Sequence, residues 1–357
     1  MRYVPRESLT PEIMKLARPV LGANGETMMN SGSPIRSGSV SLMRKYGING
    51  AFVHDEISGG LDIPDILSQE LRAHAIGCVY DTYTQAGRQR RADDPAKLSN
   101  VSAAIADAVI ALGSNLPNLI DVKSYDYSSY FHALNVALLS VVTGQGMGLE
   151  RPALCELAYA GLVHDVGKMF IDARIVSKVD ALSYAEMEMM RRHPKDGHRF
   201  LRQKYPEITS ETILRGVLEH HERQNGSGYP GGLIAPDIAD AAKILAVADV
   251  YDAMTSERPY RSPASPAQAL AYLRQGKGTL FDEEATDAFL RRVAPYPTGT
   301  CVELSDGTSA LVTRNDAEHM ERPDVRVFAK DKKPVPPAAL SLSAVSPDAV
   351  FILNPQG

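Results

Sequence analysis

Histidines and aspartates recur through the centre of this chain at positions that suit metal binding. Each falls near the middle or end of a different stretch with helical periodicity. Neutral imidazole and carboxylate bind borderline divalent metals, and nitrogen and oxygen donors of this kind suit Fe, Mn, Ni or Zn. No cysteine belongs to the series, which argues against a structural zinc site. The series is His132, His164, Asp165, His193, His220, His221 and Asp249.

Two parts of the series need a specific local structure. His132 has Val136 at i+4 and Leu139 at i+7, which places it on or near an apolar face, and a lone histidine there is more often a hydrogen-bonded core residue. His220 and His221 would point about 100° apart on a regular helix, so both reach one metal only if the helix ends there. The glycine-rich residues 225–232 follow, which predicts that end.

Helical periodicity in residues 95–296 supplies the elements that must position these side chains. Ligands from separate helices can converge on the core of a bundle, where a polar cluster would otherwise be costly. Ser183 and Glu186 have the capping-box spacing, and Asp282 is a candidate N-cap. The predicted helices cover residues 95–113, 127–143, 151–164, 183–205, 210–222, 239–255, 265–274 and 283–293.

Two smaller segments flank the helical region. Residues 1–94 read as a small α/β module, with a short helix at 39–46, a strand at 50–53 and a polar linker at 85–94. Residues 297–357 read as a β-rich extension with a hairpin at Asp306-Gly307 and a proline-rich loop at 334–337. The fold class is therefore mainly α, with a helical domain at 95–296 between the two flanks. The strands of the extension are predicted at 300–304, 309–313, 325–328 and 349–353.

Composition limits the classes of protein to which the chain can belong. The 357 residues carry a net charge of −5, with 44% hydrophobic and 23% charged residues, which is ordinary for a globular protein and excludes a disordered or polycationic chain. A polyanionic ligand would need a local cluster of positive charge. Three scattered cysteines predict free thiols, and no long apolar run predicts a membrane span, so we expect a cytoplasmic protein.

Five stretches together resemble the HD-GYP family, a branch of the HD phosphohydrolase superfamily, over about half of the chain. Each stretch contains at least one residue of the histidine and aspartate series, and the combination is highly specific. The matching stretches are residues 130–137 (YFHALNVA), 164–168 (HDVGK), 193–197 (HPKDG), 220–233 (HHERQNGSGYPGGL) and 248–261 (ADVYDAMTSERPYR).

The resemblance implies an all-helical HD-type catalytic domain that binds two divalent metals, Fe or Mn foremost and Ni, Co or Zn as alternatives. It places His132, His164, Asp165 and Asp249 on one metal, and Asp165, His193, His220 and His221 on the other, with Asp165 bridging. Some relatives hold a third metal with a glutamate one helical turn before the first histidine. Ser128 stands there, beside Ser129 and near Asp126, so two metals are expected. His198 matches no ligand position and is interpreted as a packing residue.

The same resemblance assigns residues to the substrate. Lys168 would contact a phosphate or assist at the reacting centre, and Arg258 and Arg261 would grip phosphate. Tyr229 belongs to the GYP loop, which is linked to substrate positioning and to recognition of a protein partner. Gly226, Gly228, Gly231 and Gly232 would let that loop take positive φ and approach a ligand closely.

The expected reaction is hydrolysis of cyclic di-GMP in bacterial second-messenger signalling. Two cations lower the pKa of a bridging water and neutralise the phosphoryl charge, and attack on phosphorus opens the ring to linear pGpG, with GMP after a second round. The resemblance gives the catalytic roles to Asp165 and Lys168. Metal identity and final product stay open at this point.

Two alternatives also stay open. One is a phosphodiesterase for another nucleotide, such as cyclic GMP-AMP, and the other is a catalytically weak sensor of cyclic dinucleotides. Sensors usually lose ligands, whereas every expected position is filled here. A homodimer is a further expectation, while a nucleic acid polymer and a membrane are not expected partners. Residues 1–94 are interpreted as a regulatory or dimerising module, with a structural or dimerising role favoured over ligand sensing, and the sequence does not define any signal that the module senses.

Overall fold

The computed structural model describes residues 1–48, 50–87, 95–113, 129–178, 180–205, 210–256 and 263–356. The chain is mainly α-helical in its centre, with a small strand-containing module before the helices and an antiparallel sheet after them. This confirms the predicted fold class. Within the described ranges, no helix combines the length and the apolar character that a membrane span requires.

Among the described residues up to His54, the first module contains two small sheets and one α-helix. Strands β1 (Arg2–Pro5), β2 (Lys15–Leu16) and β5 (Gly50–His54) pair antiparallel in the order β1-β5-β2. Strands β3 (Val20–Leu21) and β4 (Thr27–Met29) form a separate pair, and helix α1 spans Ser37–Lys45. The predicted helix at 39–46 and strand at 50–53 are confirmed by α1 and β5.

Eleven helices follow in the described part of the chain. The apolar faces of all but α6 and α7 form a single core cluster around α4. The side chains of α4 are buried almost all the way round the helix, because other helices pack on every side of it. They are α2 (Gln69–Gly87), α3 (Pro95–Leu112), α4 (Ser129–Gly146), α5 (Arg151–Val163), α6 (Ala173–Val176), α7 (Tyr184–Met190), α8 (His193–Lys204), α9 (Glu211–Glu219), α10 (Asp240–Thr255), α11 (Pro266–Gly276) and α12 (Glu283–Leu290).

The prediction of one helix over residues 183–205 is wrong, because the chain breaks it into α7 and α8. Pro194 stands in the first turn of α8 and has no N–H for the carbonyl of Met190. That carbonyl instead accepts a hydrogen bond from His193 Nδ1. Both predicted N-caps are confirmed: Ser183 and Glu186 form a capping box, and Asp282 accepts from the first turn of α12.

Helix α2 is absent from the sequence prediction, which assigns residues 1–94 to a small α/β module. Its buried positions follow helical spacing, but Arg72 and Thr82 are among them, so the apolar pattern is weak. Ala75, Ile76 and Tyr83 belong to the same core cluster as α4 and α5. The helical core therefore includes residues that the division at 94 gives to the first module, while that division itself stays a prediction. Residues 88–94 of the predicted linker lie outside the described residues.

The C-terminal sheet has five antiparallel strands in the order β10-β6-β7-β8-β9. The predicted turn at Asp306-Gly307 joins β6 (Cys301–Leu304) to β7 (Thr308–Arg314), and Gly307 has a φ of +78°. The prediction of a loop at 334–337 is wrong, because those residues lie in β9. This strand forms an edge of the sheet, where proline does not interrupt a ladder of hydrogen bonds. The strands are β6 (Cys301–Leu304), β7 (Thr308–Arg314), β8 (Asp324–Lys330), β9 (Lys333–Ser341) and β10 (Ile352–Gln356).

Candidate metal centre

The structure brings all seven residues of the histidine and aspartate series together. They form two adjacent groups, and the donor atoms within each group lie within 4.8 Å of one another. Six of the seven positions lie at or beside the end of a helix or within its first turn, and Asp249 lies inside α10. One group contains His132, His164 and Asp249, and the other contains Asp165, His193, His220 and His221.

The end of α9 allows adjacent histidines to serve one group. The helix stops at Glu219, so His220 and His221 follow its last turn and their ring centroids lie 4.1 Å apart. The predicted helix end is therefore confirmed. His193, the first residue of α8, faces both rings at centroid distances of 5.4 and 5.0 Å.

The carboxylate of Asp165 lies between the two groups. Its Oδ1 is 3.2 Å from His193 Nε2, while its Oδ2 is 3.5 Å from His164 Nε2 and 3.7 Å from His132 Nε2. The residue is 1% exposed, so solvent does not screen its charge. Lys168 Nζ lies 2.5 Å from Oδ2. Each oxygen thus faces a different set of histidines, which is the arrangement that a shared ligand needs.

Three histidines are oriented by the same local contact. His164, His193 and His220 each donate Nδ1–H to a carbonyl three residues earlier, at 2.8 Å. This bond fixes the tautomer and leaves the Nε2 lone pair pointing into the site. The Nε2 atoms of His193 and His220 consequently face each other at 3.3 Å as two acceptors, which repel unless a cation lies near both.

Unsatisfied buried atoms test whether the residues fit a metal. His164 Nε2 and Asp165 Oδ1 are buried without a hydrogen-bond partner, although buried polar groups are almost always paired. Both atoms belong to the donor groups, and imidazole and carboxylate are the ligands that first-row divalent ions accept. The donor set and its orphaned atoms therefore fit two divalent cations.

Burial sets the protonation of most of the donors. Burial lowers the pKa of His193 to about 4 and of His221 to about 3, and it lowers that of His220 well below its ordinary value. These three rings are neutral at pH 7, as metal ligands must be. Burial acts to raise the pKa of Asp165, but Lys168 and His164 outweigh it and keep the carboxyl ionised.

His132 differs from the other histidines. Burial acts to lower its pKa, but hydrogen bonds to Asp249 and Asp252 outweigh burial and raise the pKa to about 9. Its Nδ1 lies 2.6 Å from Asp252 Oδ2, and its Nε2 lies 3.2 Å from Asp249 Oδ1. Asp252 is 1% exposed and also accepts from Asn135 at 2.9 Å. Asp252 thus orients His132, and sequence reasoning missed it although it lies one helical turn after Asp249.

Gly167 permits the close packing that joins the two groups. It lies in the 3₁₀ turn Val166–Phe170, directly after the His164-Asp165 pair. A β carbon there would lie 1.9 Å from the carbonyl oxygen of His193. Only glycine lets this turn approach α8 so closely, which explains why the motif needs Gly167 between Asp165 and Lys168.

The GYP loop covers one side of the site. The centroid of the Tyr229 ring lies 4.7 Å from that of His221, and the guanidinium carbon of Arg191 lies 5.6 Å from the same Tyr229 centroid. Glu222, missed by sequence reasoning, is buried and accepts from the backbone N–H groups of Gly231 and Leu233 at 2.5 and 2.9 Å. This carboxylate therefore folds the loop back on the end of α9.

The glycines of the loop differ in their role. Gly226 and Gly232 take positive φ, as expected, with values of +78° and +66°. Gly228 and Gly231 do not, so that part of the expectation is wrong. Gly228 serves close approach instead, because a β carbon there would lie 2.4 Å from the backbone nitrogen of Arg223.

The remaining predicted residues are placed as follows. Lys168 has its ammonium at the site with a quarter of its side chain exposed. His198 is half-buried on α8 and belongs to neither donor group. Arg258, Arg261, Ser128 and Asp126 lie outside the described residues, and Ser129 begins α4.

Comparison with known proteins identifies the family. The HD domain family matches residues 97–285. A cyclic di-GMP phosphodiesterase of Pseudomonas aeruginosa is 33% identical over 287 residues, which cover 77% of this chain and 68% of the relative. A 3'3'-cGAMP-specific phosphodiesterase of Vibrio cholerae is 30% identical over 192 residues, covering 53% of this chain and 43% of the relative.

One solved structure also aligns with most of this chain. An HDG"Y"P protein of Bdellovibrio bacteriovorus aligns over 81% of this chain and 97% of its own, with 16% identity and a TM-score of 0.49. The family match covers more than half of the chain, and it includes all seven donor residues. The chain therefore belongs to the HD domain family, in its HD-GYP branch, and is a metal-dependent phosphodiesterase.

Proposed function

We propose that this chain hydrolyses cyclic dinucleotides, with cyclic di-GMP as the preferred substrate and linear pGpG as the first product. The observation that carries the proposal is the pair of buried donor groups that meet at Asp165. Relatives named as cyclic di-GMP and 3'3'-cGAMP phosphodiesterases support the substrate class.

In the proposed site, each group holds one divalent cation and Asp165 belongs to both. His132, His164 and Asp249 complete one ligand set, and the other is completed by His193, His220 and His221. Fe or Mn is the proposed metal. When bound, two such cations supply a water of lowered pKa and neutralise charge on the phosphoryl oxygens during in-line displacement.

The chain's own residues bind and orient the substrate. Lys168 has a partly exposed ammonium next to Asp165, so it can move to a phosphate oxygen that arrives at the site. Tyr229 contacts both His221 and Arg191 and forms one wall of the proposed substrate site. Binding of phosphate by Arg258 and Arg261 is a prediction from the sequence.

Cyclic GMP-AMP is the second candidate substrate, favoured by the Vibrio cholerae relative. The two dinucleotides differ in one base, so the phosphate chemistry is the same for both. A sensor without activity is disfavoured because no donor position is vacant. A second step to GMP, a protein partner at the GYP loop, a homodimer and a cytoplasmic location remain predictions.

The first experiment combines metal analysis with an assay of hydrolysis. Protein purified without oxygen is analysed for bound metals, and turnover of cyclic di-GMP and cyclic GMP-AMP is compared at equal concentration. We expect two metals per chain and faster turnover of cyclic di-GMP. The reverse order of the two rates would assign the second candidate.

The second experiment tests the site. His164→Ala combined with Asp165→Ala should abolish metal loading and hydrolysis while circular dichroism shows intact helices. His198→Ala is the matched control, because His198 lies on α8 outside both donor groups. Full activity in the double variant would refute the assignment, and so would an equal loss in the control.

A further inference from the structure

Tyr83 is a fully buried tyrosine on α2, outside both donor groups. It is 1% exposed, and its ring meets the ring of Tyr130 edge-on at a centroid distance of 5.8 Å. Tyr130 stands two residues before His132 at the start of α4. No motif in the sequence includes Tyr83, so its contacts with the site appear only in the folded chain.

The hydroxyl of Tyr83 contacts the last turn of α5, just before His164. It donates to the carbonyl of Leu162 at 3.2 Å. Leu162 lies two residues before His164 and three before Asp165. Burial, together with the charge of Asp165, raises the pKa of Tyr83 well above its ordinary value, so the phenol stays protonated and remains a donor.

This contact satisfies a helix end that needs a partner. The last four carbonyls of an α-helix have no N–H partner within the helix, and α5 ends at Val163. The side chain of His164 donates a hydrogen bond to the carbonyl of Gly161, and the hydroxyl of Tyr83 donates one to the carbonyl of Leu162. The turn that carries His164 and Asp165 is thus held from two sides.

Helix α2 packs against the helical core and against the first module, and this packing limits the movement of Tyr83. Gly25 lies so close to α2 that a β carbon there would be 2.2 Å from the Ala73 carbonyl oxygen. From Ala73 to Tyr83 the helix rises about 15 Å, which takes it from the first module to the metal centre. A donor on an anchored helix can set the position of a ligand, whereas a donor on a loose segment cannot.

We propose that Tyr83 is a positioning residue that sets the geometry of the His164-Asp165 turn and therefore of the shared ligand Asp165. Its contribution to hydrolysis rests on the proposed function, whereas its contribution to metal binding does not. Because one carboxylate oxygen of Asp165 faces histidines of each donor group, a small displacement of this turn alters both groups at once.

The test is Tyr83→Phe, which removes the hydroxyl and keeps the ring against Tyr130. One hydrogen bond contributes about 0.5–1.5 kcal/mol, so we expect metal affinity to fall by about 2- to 12-fold. The visible spectrum of the Co²⁺-loaded variant should shift, because the coordination angles change. Turnover kcat should fall with KM unchanged. Tyr80→Phe is the matched control, since Tyr80 lies on the same helix with its ring 5.1 Å from Tyr130.

The outcomes separate a positioning role from a structural one. A variant that melts at a lower temperature but keeps wild-type metal affinity, Co²⁺ spectrum and kcat would overturn the proposal. An equal effect from Tyr80→Phe would also overturn it. Wild-type protein that loads metal without cleaving cyclic dinucleotides would instead contradict the proposed function, and the metal affinities of the two variants would still decide the role of Tyr83.

Discussion

Asp252 offers the sharpest test of how the site is built, because it touches a predicted ligand without being one. Its Oδ2 accepts from His132 Nδ1, and its Oδ1 accepts from Asn135. The substitution Asp252→Asn keeps the shape and removes the charge. If the new amide turns its oxygen to His132, its NH₂ group faces the NH₂ group of Asn135. If it turns the other way, it favours the tautomer that protonates Nε2, the nitrogen that a metal needs.

The size of the effect follows from the two bonds. A hydrogen bond to a charged group contributes about 1.5–3 kcal/mol and a neutral one about 0.5–1.5, so the His132 contact loses about 1–1.5 kcal/mol. Facing donors at Asn135 add about 1 kcal/mol. A total near 2 kcal/mol agrees with the 10- to 100-fold loss of metal affinity that is typical when such an outer partner is removed, at about 1.4 kcal/mol per tenfold.

Metal release is the most direct assay. Protein loaded with Mn²⁺ is mixed with excess chromogenic chelator, and the release rate is followed. In the loaded state His132 is neutral in both proteins, so competition from its proton does not enter. We expect release to be about 10- to 100-fold faster in Asp252→Asn. Asp240→Asn is the control, because Asp240 is an exposed carboxylate on the same helix that pairs only with Lys243 among the described contacts.

Two results would refute the reasoning. The first is an unchanged release rate in a folded Asp252→Asn protein, which would mean that His132 needs no outer partner. The second is an equal acceleration in Asp240→Asn, which would point to a general effect of charge on α10. A melting curve for each variant shows that the fold is intact.

Three further predictions address the loop, the backbone packing and pH. Glu222→Gln replaces two charge-assisted bonds to the GYP loop, so hydrogen exchange of the loop amides should quicken by about 10- to 100-fold, and unchanged exchange would contradict this. Gly167→Ala must push the 3₁₀ turn away from His193, so denaturant unfolding should show a loss of about 1–3 kcal/mol, whereas Gly38→Ala, with open space around it, should lose none. His132 has a pKa near 9, above its usual 6.5, so metal-free protein holds a proton there that a cation must displace. Apparent metal affinity should therefore rise about tenfold per pH unit below pH 9 and level off above it, and a titration that is flat from pH 7 to 8.5 would exclude this proton.

Most of the architecture could be predicted from the sequence, and each error in the prediction has a local cause. Periodicity predicted the helices around α4 because their apolar faces repeat at helical spacing. Periodicity did not reveal α2, because the buried face of that helix includes the polar residues Arg72 and Thr82. The prediction also joined α7 to α8, because it did not treat Pro194 as the start of a new helix. The sequence prediction assigned the prolines of β9 to a loop, because no pattern in the sequence distinguishes a proline-containing edge strand from a loop.

For the candidate site, the sequence alone determined the set of donors, since residue types such as His164 and Asp165 limit which ions can bind. Only the tertiary structure decided how those donors are held. Asp252 reaches His132 across 120 residues, and Tyr83 reaches Leu162 across 79. Contacts of this kind depend on how the helices pack, so they leave no periodic signal in the sequence. The same packing places one carboxylate oxygen of Asp165 near each group of histidines.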